Sequence, residues 1–169
     1  MKLSKTYFFT ATAAAAIFLT VACKKLPKET HKGKDMMACY VNGEKWKAKN
    51  KISFDMSTIG SGSGGSNPEA GFTGTTSWYI QGTESKLGGL VIYINNFKGI
   101  GDYELTTPSY QANYAGYNGG HKSDSLNKGI ITIKYFSNNI IAGTFSFTLK
   151  DNQGETVAIT QGRFDIKYK

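Results

Sequence analysis

Ile140-Ile141-Ala142-Gly143-Thr144-Phe145-Ser146-Phe147-Thr148-Leu149-Lys150 is the stretch that decides the fold. Ile141, Phe145, Phe147 and Leu149 fall on one side of an extended chain, and Thr144, Ser146 and Thr148 on the other. That period of two belongs to a half-buried β-strand. Upstream, Ile131, Ile133 and Tyr135 also share a face. Aligning the two faces opposes Tyr135 to Ile141 and leaves a three-residue loop, Ser137-Asn138-Asn139. Downstream, Leu149 opposite Val157 leaves Asn152-Gln153-Gly154. Both loops suit a type I turn plus bulge. Beyond them the apolar parity changes, from Val157 and Ile159 to Phe164, Ile166 and Tyr168. Side chains alternate along a strand, so an extra residue must intervene. A β-bulge is expected at Gln161-Gly162.

The same reasoning extends towards the N-terminus. Met37 to Val41, Asn42-Gly43 and Glu44 to Ala48 read as a hairpin, because Asn-Gly suits the two positive φ angles of a type I′ turn. Its register opposes Val41 to Glu44, Cys39 to Trp46 and Met37 to Ala48, making Cys39 a buried thiol against an indole. Ile52, Phe54 and Met56 suggest a further strand, and Gly60 to Gly71 a low-complexity loop. That loop lacks the Gly-Lys-Ser/Thr ending of a phosphate loop. Strands are expected over Thr75 to Thr83, with Trp78 and Ile80 on one face and Tyr79 on the other, and over Leu90 to Phe97, central in its sheet. Gly99 to Asp102 turns the chain into Tyr103. Residues 106–128 read as a second long loop with a short strand near Ala112 to Tyr117. Helical periodicity is nowhere sustained. The expectation is an all-β domain, a single antiparallel β-sandwich or flattened β-barrel of about nine hairpin-connected strands.

Residues 1–22 read as a lipoprotein signal peptide. Lys2 and Lys5 precede an uncharged run from Tyr7 to Ala22. At ~1.5 Å per helical residue that run reaches about 24 Å, short of a roughly 30 Å hydrocarbon core. Leu19-Thr20-Val21-Ala22-Cys23 follows the pattern in which a small residue precedes a cysteine that is lipidated. A diacylated Cys23 would anchor the chain stably, since two acyl chains suffice. Residues 23–35 are expected to form a flexible basic tether, and residues 36–169 the domain. The formal charge of +8 is concentrated near the start. From Met36 onward 13 basic residues face 10 acidic ones, a balance of +3. No nucleic-acid partner is expected from so even a domain. With Cys23 lipidated, Cys39 has no intrachain partner.

Chemistry-bearing residues are sparse. His31 and His121 have no ligand spacing around them, so neither a metal nor a cofactor is expected. His121 reads as a surface loop residue. Asp151 to Glu155 is too short for a calcium loop. Tyr110, Tyr114 and Tyr117, if exposed on a loop, could stack on a glycan or peptide. Arg163 is the sole arginine. A planar five-donor group suits a clamp to Asp165 or an acid on an adjacent strand, or the capping of carbonyls at the bulge. The competing role is contact with an anionic ligand.

Tyr40-Val41-Asn42-Gly43 with Trp46, the Gly99 to Tyr103 turn, Gly143-Thr144-Phe145-Ser146-Phe147 and Thr160-Gln161-Gly162-Arg163-Phe164-Asp165 together resemble a family of small Bacteroidota lipoproteins of unknown function. The resemblance covers most of residues 38–168. It implies an all-β domain in the cell envelope, and no activity. Surface-exported lipoproteins of that phylum often carry acidic residues after the lipidated cysteine. Lys24-Lys25-Leu26-Pro27-Lys28 stands here instead, which points to the periplasmic face of the outer membrane. Three roles follow. The first is a non-catalytic structural or interaction lipoprotein, with the membrane and an envelope protein or glycan as partners. The others are a small-ligand or glycan binder, and an enzyme.

Overall fold

A computed structural model of the chain describes residues 25–49, 68–72, 77–105, 110–116, 119–123, 126 and 128–168. The expected lipidation stretch with Cys23, the expected strand at Ile52 to Met56, most of the expected Gly60 to Gly71 loop and Tyr117 lie outside them.

The described chain is all-β and antiparallel. Its strands are β1 (Met36–Val41), β2 (Glu44–Lys47), β3 (Glu69–Phe72), β4 (Trp78–Glu84), β5 (Gly88–Ile94), β6 (Gly101–Glu104), β7 (Tyr110–Gly116), β8 (Gly119–Lys122), β9 (Ile130–Ser137), β10 (Ile140–Lys150) and β11 (Thr156–Lys167). Nine of them run edge to edge in the order β2-β1-β11-β10-β8-β7-β5-β4-β3. The sheet forks at β10. Its first half, from Ile140 to Ser146, pairs with β9, which in turn pairs with β6, while Lys150 at its end pairs with Lys122 of β8. One strand long enough to serve two partners lets the sheet curl into a half-barrel around a single core.

The two arms meet over inward side chains. Met37, Cys39 and Trp46 from one arm and Trp78, Ile80, Leu90 and Ile92 from the other are all fully buried. The Trp46 indole N–H donates to the Gly88 carbonyl at 2.9 Å, and the Lys49 amide donates to the Thr83 carbonyl at 3.1 Å. Gly82 permits this closeness, since a Cβ there would lie 2.8 Å from that of Ala48. At one end Trp78 packs edge-on to Tyr168 at 4.8 Å and to Phe136 at 5.3 Å. Phe97 and Tyr103 stack beside them. The Tyr103 hydroxyl fixes the turn before β6, donating to the Gly99 carbonyl and accepting from the Lys98 amide.

The Asn42-Gly43 hairpin has the expected register, with φ of 48° and 82° at its two central residues. The β10–β11 loop ends on Gly154 at φ 95°, also as expected. Phe145, Phe147 and Leu149 are buried. The bulge in β11 is present: Gly162 opposes Phe145 while Ile159 opposes Phe147, and Gln161 adopts φ 51°.

Two local expectations are corrected. The β9–β10 loop has two residues, because Asn138 and Asn139 both accept positive φ (52° and 57°). Phe136 therefore opposes Ile141, and the spare residue is taken up in β9, where the register slips between Tyr135 and Ile133. Phe136, not Tyr135, packs on the core. Within 106–128, the short strand expected near Ala112 to Tyr117 is present as β7, but the loop expected around it also holds β8, with which β7 forms a hairpin, and β7 joins β5 along six residue pairs.

Candidate functional site

Residues 25–35, expected to be a flexible tether, lie as a strap across the outer face of β1, β11, β10 and β9. The reason is one carboxylate. Asp165 stands on β11 just past the bulge, on the side opposite Phe164, and is fully inaccessible. Its Oδ2 accepts from the Thr30 hydroxyl at 2.7 Å, the Thr30 amide at 3.0 Å and the Lys32 amide at 3.2 Å. Its Oδ1 accepts from the Gly33 amide at 2.7 Å. Burial pushes this carboxyl up, but the strap's donors outweigh burial and hold it below its ordinary value of 3.8. The strap can present three amides to one side chain because His31 and Gly33 take positive φ, 54° and 62°.

Flanking contacts complete the strap. Leu26 packs with Met36, Ala38 and Tyr40 in a second small apolar cluster. The His31 ring stacks on Tyr135, centroids 5.2 Å apart, and Glu29 pairs with Lys134 at 2.7 Å. The Asp35 carboxylate accepts from the Lys167 amide at 3.0 Å. Gly33 is seated against Ile140 and Lys167, where a Cβ would approach to 3.1 Å.

Arg163 joins the same assembly. Its Nη1 donates to the Pro27 carbonyl at 3.3 Å and its Nε to the Gln161 carbonyl at 3.4 Å. Carbonyl capping at the bulge is thus its observed role. The expected pairing with Asp165 is not formed, since the strap amides and the Thr30 hydroxyl occupy that carboxylate.

The tyrosines separate. Tyr114 is buried on β7, and its hydroxyl donates to the Leu87 carbonyl, so it is a core residue and not a stacking platform. Tyr110 lies on β7 opposite Ile94, and its side chain is outside the described part. His121 is also corrected: it is buried on β8, opposite Tyr114, with ring centroids 6.3 Å apart. Hairpin pairing put it inside, which a loop reading of 106–128 could not foresee. Cys39 is buried too, and desolvation pushes its thiol up to about 12.

Two aromatic residues missed by sequence reasoning stand on the outer face of the other arm. Tyr79 of β4 opposes Tyr93 of β5, both half-buried, and the Tyr79 ring lies over Gly71. Beside them Gln81 donates to the Glu69 carboxylate. Strand alternation already set Tyr79 apart from Trp78 and Ile80; the pairing with Tyr93 required the β4–β5 register. Among the described residues no three of His, Cys, Asp and Glu gather as a metal site, and no helix is long and apolar enough to cross a membrane.

The family model described as Domain of unknown function (DUF6252) matches residues 65–165, more than half of the chain. No curated protein and no solved structure matches it.

Proposed function

The chain belongs to the DUF6252 family of unknown function, and we propose that it acts as a membrane-anchored envelope lipoprotein whose β-domain is a non-catalytic structural or interaction module. The strap carries this reading. Its described part includes Lys25, two residues after Cys23, and Asp165 binds it to the domain. A lipid on Cys23 would then hold the domain close to the bilayer. The non-catalytic part rests on commitment: Asp165, Cys39, Tyr114 and His121 are each buried within the fold. Outer-membrane attachment facing the periplasm follows from the basic residues after Cys23.

Metabolic labelling with an alkyne fatty acid tests the anchor. Wild type should carry the label and Cys23→Ala should not; equal labelling of both refutes it. Proteinase K added to intact cells should spare the domain, and rapid digestion would place it outside.

A second reading, glycan binding, is favoured by the outer face of β3–β5. Tyr79 and Tyr93 set two opposed, half-buried aromatic residues beside the Glu69–Gln81 pair, and aromatic rings next to polar side chains are suited to stacking on and hydrogen-bonding sugars. Affinity electrophoresis through envelope polysaccharide should show retardation that Tyr79→Ala and Tyr93→Ala remove.

A further inference from the structure

Among the described residues β2 lies at the end of the sheet's strand order. Trp46 and Ala48 point inward and are buried, while Lys45, Lys47 and Lys49 are exposed, so alternation puts three lysines on one outer face. They line one open groove with Ala48 and Glu84. Glu84 is the acid of that groove. It pairs with Lys49 at 3.4 Å and also accepts from the amides of Lys86 and Leu87, so its single negative charge is held beside Lys49. Lysines on an edge strand also prevent sheet-to-sheet pairing between molecules. That role needs charge but no particular location.

The location here is specific. Lys45 donates to the Lys25 carbonyl at 3.2 Å, which brings a fourth lysine, itself exposed, to the same face. Two residues of chain reach at most about 7 Å. Chain length alone therefore keeps position 23 within that reach of Lys25, whose carbonyl Lys45 contacts. Asp165, Arg163 and Leu26 hold the strap, so the domain cannot swing this face away from position 23.

We propose that Lys25, Lys45, Lys47 and Lys49 lie on the bilayer and bind the phosphates of anionic phospholipid headgroups. The proposal rests on the anchor at Cys23. An orientation with β2 lying along the surface brings these ammonium groups within about a Debye length of it, roughly 8–10 Å. Each lysine so placed raises the ratio of surface-bound to free orientations about fivefold. The bound lipid and the charged face would thus fix which side of the domain meets the membrane and which is left for a partner.

The test uses the full lipidated chain, with a fluorophore attached through Glu44→Cys at the start of β2. It is reconstituted into vesicles of phosphatidylcholine alone or of phosphatidylcholine with phosphatidylglycerol, both containing a headgroup-nitroxide quencher. Quenching should be stronger with phosphatidylglycerol and should weaken as salt is raised. Lys45→Gln/Lys47→Gln/Lys49→Gln should abolish the difference between the two vesicle types while the chain still sediments with both. Equal quenching in both vesicles, or an unaffected triple variant, would overturn the proposal. So would reversal by inorganic phosphate beyond that by chloride at equal ionic strength, which would mark a phosphate site and not a lipid surface. Fatty-acid labelling of the same preparation reports on the anchor separately. An unlabelled chain that fails to sediment with phosphatidylcholine vesicles refutes the anchor, while its sedimentation with phosphatidylglycerol still reads the lysine face.

Discussion

At the scale of single residues, Asp165 has the clearest consequence. Four strap donors converge on its two oxygens, and an amide in place of the carboxylate would set its own N–H groups against some of them. Asp165→Asn should cost about 1.5–3 kcal/mol, the range for hydrogen bonds to a charged group. Cleavage by trypsin within Lys25 to Lys34 should become faster. The pH dependence has a definite sign. A carboxyl held below 3.8 contributes its full stability above that value and loses it as pH falls through the lower folded value. The difference in melting temperature between wild type and Asp165→Asn should therefore persist at neutral pH and shrink on acidification below 3.8. A difference that grows with acid would contradict the assignment. Arg163→Lys probes the neighbouring cap. A lysine cannot donate to both the Pro27 and Gln161 carbonyls in the same fixed geometry, so a loss of about 0.5–1.5 kcal/mol is expected in thermal unfolding. An unchanged melting temperature would mean that the cap contributes nothing.

At the scale of elements, the bulge in β11 and the face of β10 depend on each other. The Phe145 ring lies over Gly162, where even a Cβ would come within 2.2 Å of the ring. Gly162→Ala must displace that ring, and Phe145→Ala or Phe147→Ala must leave a cavity. The truncations should each cost roughly 3–5 kcal/mol. Chemical denaturation reads the loss, and an unaltered midpoint would place these rings outside the core. These elements were legible before any coordinates because their signals are local. Period-two alternation names the face, Asn-Gly names the turn, and a change of parity names the bulge. The β9–β10 turn was misread because two solutions satisfy the same alternation. A three-residue loop keeps Tyr135 inward, and a two-residue Asn-Asn turn with a slip in β9 brings Phe136 inward. Paired asparagines, each tolerant of positive φ, favoured the second. The strap was misread for a different reason. Its lysines, proline and glycine suggest solvated chain, and the group that binds it lies more than 130 residues away in sequence.

At the scale of the whole molecule, the family match and the folded unit do not coincide. The match begins at residue 65 and ends at 165. It leaves out β1, β2 and the strap, and it cuts β11 before Ile166. Yet β1 pairs with β11 over five residue pairs, and Met37, Cys39, Trp46 and Ile166 are fully buried in the common core. Removing β1 would expose the edge of β11 along with that apolar face, a template for aggregation. It would also remove the strap that Asp165 holds. The Gly88 carbonyl would lose the Trp46 indole that ties the second arm to the first. A chain cut to residues 65–165 should therefore be insoluble or lack a cooperative thermal transition, whereas one spanning residues 25–169 should unfold in a single transition. Trp46→Phe in the longer chain separates packing from tethering. It keeps most of the aromatic volume and loses the hydrogen bond to Gly88, so a loss of about 1–3 kcal/mol with cooperativity intact is expected. A soluble 65–165 fragment that melts cooperatively would show that β3 to β10 and most of β11 suffice as a folding unit. β1, β2 and the strap would then be an attachment to the domain and no part of its core.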